Sequence, residues 1–476
     1  MADSRGQPDK PDESAVPEAH GTAIPIPNDF FALPKATGFE LPDLYEIGKR
    51  HLCSDDDERV HIVRWIGLGH LLSGEQENNA MERVLSHWLT AHPDRSIEGF
   101  SLHRSATSQI ADYTSPQMIA LIHSRPVVAK CDQFHAGERG FTILRFVGAG
   151  NELSFDQEDA GLEMMVNNWI ASNPDKRICR LTMCCDTTVR EADYASPQVV
   201  VGIYWLARSS FQPWDRKWRI NPNPDTQISS QKFRLARHLV AAWNSDGSNI
   251  SGEEEDSQAR MRANLCVLQE EVATLIAFTS CYQWGLFHAG RRCGPQFIMG
   301  LLFQKRDLER DAHLEYDAQS EGVDIIRSVG TQGLDSEQEN ILAEVCLQAW
   351  ISRNPDKEIV GLTQQYDHGH DPATDTYCGR YIYGIRWKRG LCRVKHTNAC
   401  EFDVKVLHAL GPAGDGLLTP DQEDRLFQTA MKNCLASVPM GTEVVLAATS
   451  FRWGAFNGTD MQGPRMDATV VFHRLC

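Results

Sequence analysis

Ser154-Phe155-Asp156-Gln157-Glu158 runs on through Trp169 to Asn173-Pro174-Asp175-Lys176. The stretch reads as one helix with both ends written in the sequence. Ser154 is an N-cap, and Gln157 three residues later completes a capping box. Trp169 lies on the apolar face, and Pro174 falls just past the end, where proline is common. The pattern recurs as Ser73, Gln76, Trp88, Pro93; as Asp335, Gln338, Trp350, Pro355; and as Thr419, Gln422, Cys434, Pro439. A fifth copy has Ser251, Glu254 and Cys266, with Glu271 in place of the proline. The offsets from the cap are 3, 15 and 20 in every copy. The chain is therefore an array of five repeats.

Each copy carries further elements at matching places. A β-branched run precedes the helix, as in Thr142-Ile143-Leu144-Arg145-Phe146-Val147-Gly148, and a second follows it, as in Ile178 to Met183. A small-residue, Pro, Gln entry then leads to a third, as in Ser196-Pro197-Gln198 before Val199 to Trp205. Each unit reads strand, helix, strand, strand. For the third unit the strands are expected at His238 to Ala242, Ala273 to Phe278 and Phe297 to Phe303, after a polar linker from Ser209 to Gln231. The units are placed at 59–124, 141–206, 234–305, 323–390 and 402–476 of one domain spanning 59–476. Residues 1–35, rich in Pro, Asp, Glu, Ser and Ala, read as a disordered leader, and 36–58 as a connecting helix with an acidic turn.

A unit of this kind cannot cover both faces of its strands alone, and packing against neighbours does so. Five units of similar length suit closure. In repeat count and element order the array resembles the pentein architecture, an α/β propeller of five units with helices outside and a central channel. That resemblance covers 59–476. Pentein enzymes attack guanidine carbon with a Cys nucleophile, a His and acidic residues; here Met466 stands in the last repeat where a nucleophilic Cys would be sought. The alternative architecture is a ten-stranded barrel of five repeats with outer helices, as in aromatic prenyltransferases. Against it, 389–401 is short for a second helix, and no Lys and Arg array suits a diphosphate.

The net charge of −17 disfavours nucleic acid or an anionic membrane as partner. No apolar run approaches a membrane span, and the first residues lack a signal-peptide core. These features point to the cytoplasm. The 14 cysteines form no C-x-x-C pair and read as free thiols in a core.

Function is sought where the copies differ, in the loops expected after the second strand. The second unit offers Cys184-Cys185-Asp186 there, and the fourth offers Tyr366-Asp367-His368-Gly369-His370-Asp371. The first offers His103 and Arg104, the third Cys281 and His288. Cys185 with His368 or His370 could form a nucleophilic pair. Asp186 and Asp367 could do acid–base work, or cap the turns that follow. His368 and His370 could hold a divalent metal, or belong to a solvated polar loop. Equivalent loops of a ring leave on one side, so these five residues are expected at one opening of the central channel. Arg64, Arg145 and Arg327 recur in the first strand, and Ala241 and His408 are read as their counterparts in the third and fifth copies. They form either ion pairs with a neighbouring unit or an inward ring of cations around an anionic ligand. Two functions are expected in consequence. One is an intracellular enzyme acting on a small polar metabolite in a central pocket; the other is a non-catalytic ring that binds or scaffolds.

Overall fold

A computed structural model describes residues 60–66, 74–105, 117–127, 134, 137–147, 153–190, 194–207, 231–239, 251–270, 273–283, 287–288, 291–292, 296–305, 320–331, 334–371, 376–389, 402–410, 420–437, 442–452, 455–457, 460–462 and 465–474. The expected leader and the 36–58 segment lie outside the described residues, as do the caps at Ser73 and Thr419.

The first unit is β1 (Val60–Ile66), α1 (Gly74–Ala91), β2 (Arg95–Ser105) and β3 (Gln117–Pro126). The second is β4 (Arg139–Val147), α2 (Phe155–Ser172), β5 (Lys176–Arg190) and β6 (Tyr194–Ala207). The third is β7 (Gln231–Leu239), α3 (Gly252–Gln269), β8 (Ala273–Gln283), the short pair β9 (Phe287–His288) and β10 (Arg291–Arg292), and β11 (Gln296–Lys305). The fourth is β12 (Glu321–Val329), α4 (Ser336–Arg353), β13 (Lys357–Asp371) and β14 (Thr376–Arg389). The fifth is β15 (Phe402–Leu410), α5 (Pro420–Ser437), β16 (Thr442–Arg452), the short pair β17 (Ala455–Asn457) and β18 (Asp460–Gln462), and β19 (Arg465–Arg474). The chain is thus α/β, with one helix and one three-stranded antiparallel sheet per unit.

The helices start where the caps place them. Each is 18 residues long. Ser154 with Gln157 and Asp335 with Gln338 form complete capping boxes, and the Ser251 side chain accepts from the Glu254 amide. At the other end, Asn173 and Asn354 side chains donate to the Trp169 and Trp350 carbonyls, both at 2.8 Å. These bonds satisfy orphan carbonyls and turn the chain into the second strand. Removing the Ser154 hydroxyl by Ser154→Ala should cost about 1 kcal/mol in chemical denaturation; an unchanged midpoint would mean the cap contributes nothing.

In every unit the third strand lies between the first and second, antiparallel to both. The first and second strands are therefore parallel to one another and joined by the helix, as parallel strands require. The central strand has both faces covered. This is why Val199 to Tyr204 forms a near-continuous apolar run with little alternation. All five pairings of second and third strand carry a register slip near the start of the second strand, for example between Ile97 and Gly99 and between Ile178 and Arg180. The ten-stranded alternative called for two strands per unit, and three are observed.

Units join in one repeated way. Each helix packs on the first strand of the following unit: α1 on β4, α2 on β7, α3 on β12, α4 on β15, and α5 on β1. The second strands also touch in order, β2 with β5, β5 with β8, β8 with β13, β13 with β16, and β16 with β2. The fifth unit thus abuts the first.

Two expectations about elements need correction. The first strand of the third unit runs over Gln231–Leu239 rather than His238 to Ala242. Its register partner at the position of Arg64 and Arg145 is Arg237, not Ala241. The basic, mixed sequence Lys232-Phe233-Arg234-Leu235-Ala236-Arg237 hid the strand inside an apparent linker. The segments after Met183 and Gln365, expected as loops, are strand as far as Arg190 and Asp371. They pair with the entries to β6 and β14, which supply the missing ladder partners.

Candidate functional site

The second strands of adjacent units meet side by side with a constant stagger. The Leu102 amide donates to Thr182 Oγ1 at 3.2 Å; Ser280 Oγ lies 2.7 Å from Thr363 Oγ1; Thr449 Oγ1 lies 2.5 Å from Ser101 Oγ. In each case the residue 29 past one helix cap meets the residue 28 past the next, counting one more in the fifth unit for its insertion before β16. Cys185 and Cys281, 31 and 30 past their caps, repeat the stagger, as do Tyr282 and Gln365. Equal offsets at neighbouring strands mean that the strands run the same way. Their hairpin ends accordingly leave from one end of the set.

Just below that end, charged side chains link each unit to the next. Each helix carries an acid at its fourth position past the cap and an Asp or Asn at its fifth: Glu77-Asn78, Glu158-Asp159, Glu255-Asp256, Glu339-Asn340 and Glu423-Asp424. The first strand of the next unit presents a cation to them. Arg145 Nη1 contacts Glu77 Oε2 at 2.5 Å, and its Nη2 donates to Asn78 at 2.8 Å. Arg237 meets Asp159 at 2.6 Å and Glu158 at 3.4 Å. Arg327 meets Asp256 at 2.8 Å and Glu255 at 2.9 Å. Arg64 reaches back from the first unit to the fifth, 2.6 Å from Asp424 and 2.8 Å from Glu423. The glutamine that opens the third strand completes the group, with Gln117 and Gln296 accepting from Arg64 and Arg237 at 3.1 and 2.8 Å.

The fourth-to-fifth junction solves the same problem differently. His408 stands at the arginine register and contacts Asn340 at 2.7 Å. The guanidinium comes from Arg465, at the glutamine register of β19. Arg465 is wholly buried, 2.7 Å from Glu339 and 2.8 Å from Asp467. It also donates to the Tyr366 and Tyr381 hydroxyls at 2.8 and 2.6 Å. Burial pushes both phenols well above the usual tyrosine range.

Cys185 is disulfide-bonded to Cys281 across the second and third units, with Cα atoms 6.1 Å apart. The expected free thiol is corrected here, and Cys185 in this state is no nucleophile. The pair is 96 residues apart in sequence, so no spacing could reveal it; the junction brings it together. Asp186 lies beside it on β5, opposite Gln198. Asp367 on β13 is 2.7 Å from Arg380. His368 and His370 are alternate residues of β13, opposite Gly379 and Tyr377, and His288 on β9 pairs with Arg291. The side chains of Asp186, His288, His368 and His370 lie outside the described residues. His103 Nε2 lies 3.2 Å from Thr449 Oγ1, and burial lowers its pKa to about 4, so the imidazole is neutral at pH 7. Arg64, Arg145 and Arg327 each contact a helix of the preceding unit. Among the described residues, no group of three or more His, Cys, Asp or Glu is placed to hold a metal.

Sequence reasoning missed Arg237, Arg465 and Tyr381. A signal for the first was available, since the Glu-Asp or Glu-Asn pair of every helix sits at one offset from its cap. Arg465 was not recoverable that way, because it serves the junction from a different strand.

Two outcomes follow from these contacts. Reducing Cys185–Cys281 should lower stability by about 2–4 kcal/mol, since the bond closes a long loop. An equal denaturation midpoint with and without reductant would show that the two thiols are not bonded. At the second junction, burial raises Glu158 to about 7 and Asp159 to about 6, with Arg237 opposing. Both values lie above the ordinary carboxylate range, so the folded state binds more protons than the unfolded state between about pH 4.5 and 7. The contribution of this pair to stability should fall as pH rises through that window. Glu158→Gln should flatten the profile there; an unaltered profile would exclude Glu158 as its source.

No known protein family, no curated protein and no solved structure matches this chain. Among the described residues, no helix is long and apolar enough to cross a membrane.

Proposed function

We propose that the five units close into a pentein-like α/β propeller, and that the hairpin end of the ring binds a small polar metabolite on which the chain acts as an intracellular enzyme. The carrying observation is the common direction and stagger of the second strands. It gathers five hairpins at one end, and in two of them the ladder runs on without a break. β5 and β13 have 15 residues, while β2, β8 and β16 have 11. The longer pair carries Asp186 on one hairpin and Asp367, His368 and His370 on the other. In a five-membered ring the second and fourth units are not neighbours, so their hairpins approach one another across the axis. Aspartate and histidine are suited there to proton transfer, or to holding a divalent cation. Cys185 joins them as a nucleophile only when its bond to Cys281 is reduced.

The test is a ligand screen by thermal shift with small polar metabolites and divalent metals, on the natural chain and on the Asp186→Asn, His368→Ala, His370→Ala triple variant. The reading expects a ligand that stabilises the natural chain and not the variant. A ligand that stabilises both equally would place binding elsewhere.

A second reading, a non-catalytic ring that binds or scaffolds, draws on a different observation. Arg64, Arg145, Arg237 and Arg327, the most regular charges of the array, all engage the neighbouring unit. Under this reading the triple variant leaves every property of the chain unchanged.

A further inference from the structure

The third and fifth units carry a cysteine, Cys266 and Cys434, where their sisters carry a tryptophan, and in the third the exchange adjoins open space. At 15 residues past the cap, three helices carry Trp88, Trp169 and Trp350, while α3 carries Cys266. Trp88 and Trp350 are buried, and the Trp350 indole donates to Asp324 on its own first strand at 3.1 Å. Cys266 supplies a thiol where an indole would be. Beside it a groove of about 380 Å³ opens between α2, β7 and α3. That volume is within the range of small-molecule sites.

The lining is divided by chemistry. Leu235 and Leu239 of β7, with Leu265 and Cys266 of α3, form an apolar floor and wall. Asp156 and Asp159 of α2 line one side, and Asp159 Oδ1 accepts from Arg237 of β7, which also lines the groove. Arg262 of α3 lines the other, on an exposed face of its helix. Acids on α2 and the Arg262 guanidinium on α3, with Leu235, Leu239 and Leu265 also in the lining, match a zwitterion with a flat apolar body.

We propose that this groove binds a free aromatic α-amino acid, with its ring over Leu235, Leu239 and Cys266, its ammonium toward Asp159 and its carboxylate toward Arg262. The ring takes the place of the indole that the first, second and fourth units supply from their own helices. The carboxylate finds a guanidinium of matching geometry. The site is separate from the hairpin end and does not depend on the function proposed there.

The probe is L-tryptophan, titrated calorimetrically into the full chain. Indole and L-alanine serve as controls for ring and zwitterion alone. Saturable binding of L-tryptophan is expected, at least tenfold tighter than of either control. Arg262→Ala, on an exposed position, should weaken L-tryptophan at least tenfold and leave indole unchanged. Cys266→Trp should abolish binding by filling the space from within. No binding by the natural chain would overturn the proposal. So would unchanged affinity in the Arg262→Ala chain, which folds independently of whether the larger Cys266→Trp side chain is tolerated.

Discussion

Replacing Arg64 with Met should lower the stability of the chain by about 3–5 kcal/mol in urea denaturation, because it leaves two buried acids without their cation. Arg64 and its partners Glu423 and Asp424 expose almost nothing, at 1%, 5% and 0% of their side chains. Burial alone would depress the guanidinium pKa, and the two carboxylates outweigh it, so the net shift is upward. The substitution removes that compensation. Glu423 and Asp424 would then have to take up protons or draw in water. Adding Glu423→Gln and Asp424→Asn to the Arg64→Met chain should recover part of the loss, since neutral amides are cheaper to bury than carboxylates that have lost a buried cation. A loss below about 1 kcal/mol, in the range of exposed pairs, would mean that the fifth unit does not hold the first through these groups.

Arg465→Met should have an effect of the same size, about 3–5 kcal/mol, for a related reason. Arg465 lies between Glu339 and Asp467, and its guanidinium carbon sits 3.8 Å from the centre of the Tyr366 ring. Removing it strands two carboxylates and takes a donor from two phenols whose hydroxyls lie in the same network. His408→Arg added to this chain returns a cation to the register that Arg64, Arg145, Arg237 and Arg327 occupy in their own units. It should restore part of the stability. Failure of that second change, with Arg465→Met strongly destabilising alone, would show that the fifth unit's network is tied to Arg465 and not to the repeated register.

The repeat was legible because its helix ends are chemical. A capping side chain, an amide three residues on and a proline past the end each need a particular residue at a particular offset, and α2 and α4 use them as read. Strands are written more loosely. β7 escaped because its outward residues Lys232 and Arg234 look like a linker, although Phe233 and Leu235 alternate with them toward the core. The hairpin arms beyond Cys185 and Tyr366 escaped because nothing local separates a paired strand edge from a polar loop. The arginines were legible as a recurrence, while their partners were not, since Arg64 and Asp424 are 360 residues apart. The Cys185–Cys281 bond and the Arg465 network arise only from how neighbouring units meet, and no pattern within one unit encodes them.

The central claim is that five like units meet in sequence and that the last meets the first. Ser101 of β2 and Thr449 of β16 offer the most direct measurement, with hydroxyl oxygens 2.5 Å apart at positions 348 apart in sequence. In the Ser101→Cys, Thr449→Cys chain, oxidation followed by peptide mass analysis should find these two positions linked within one molecule, in high yield. If the link is absent, or forms only between molecules, the fifth unit does not sit against the first.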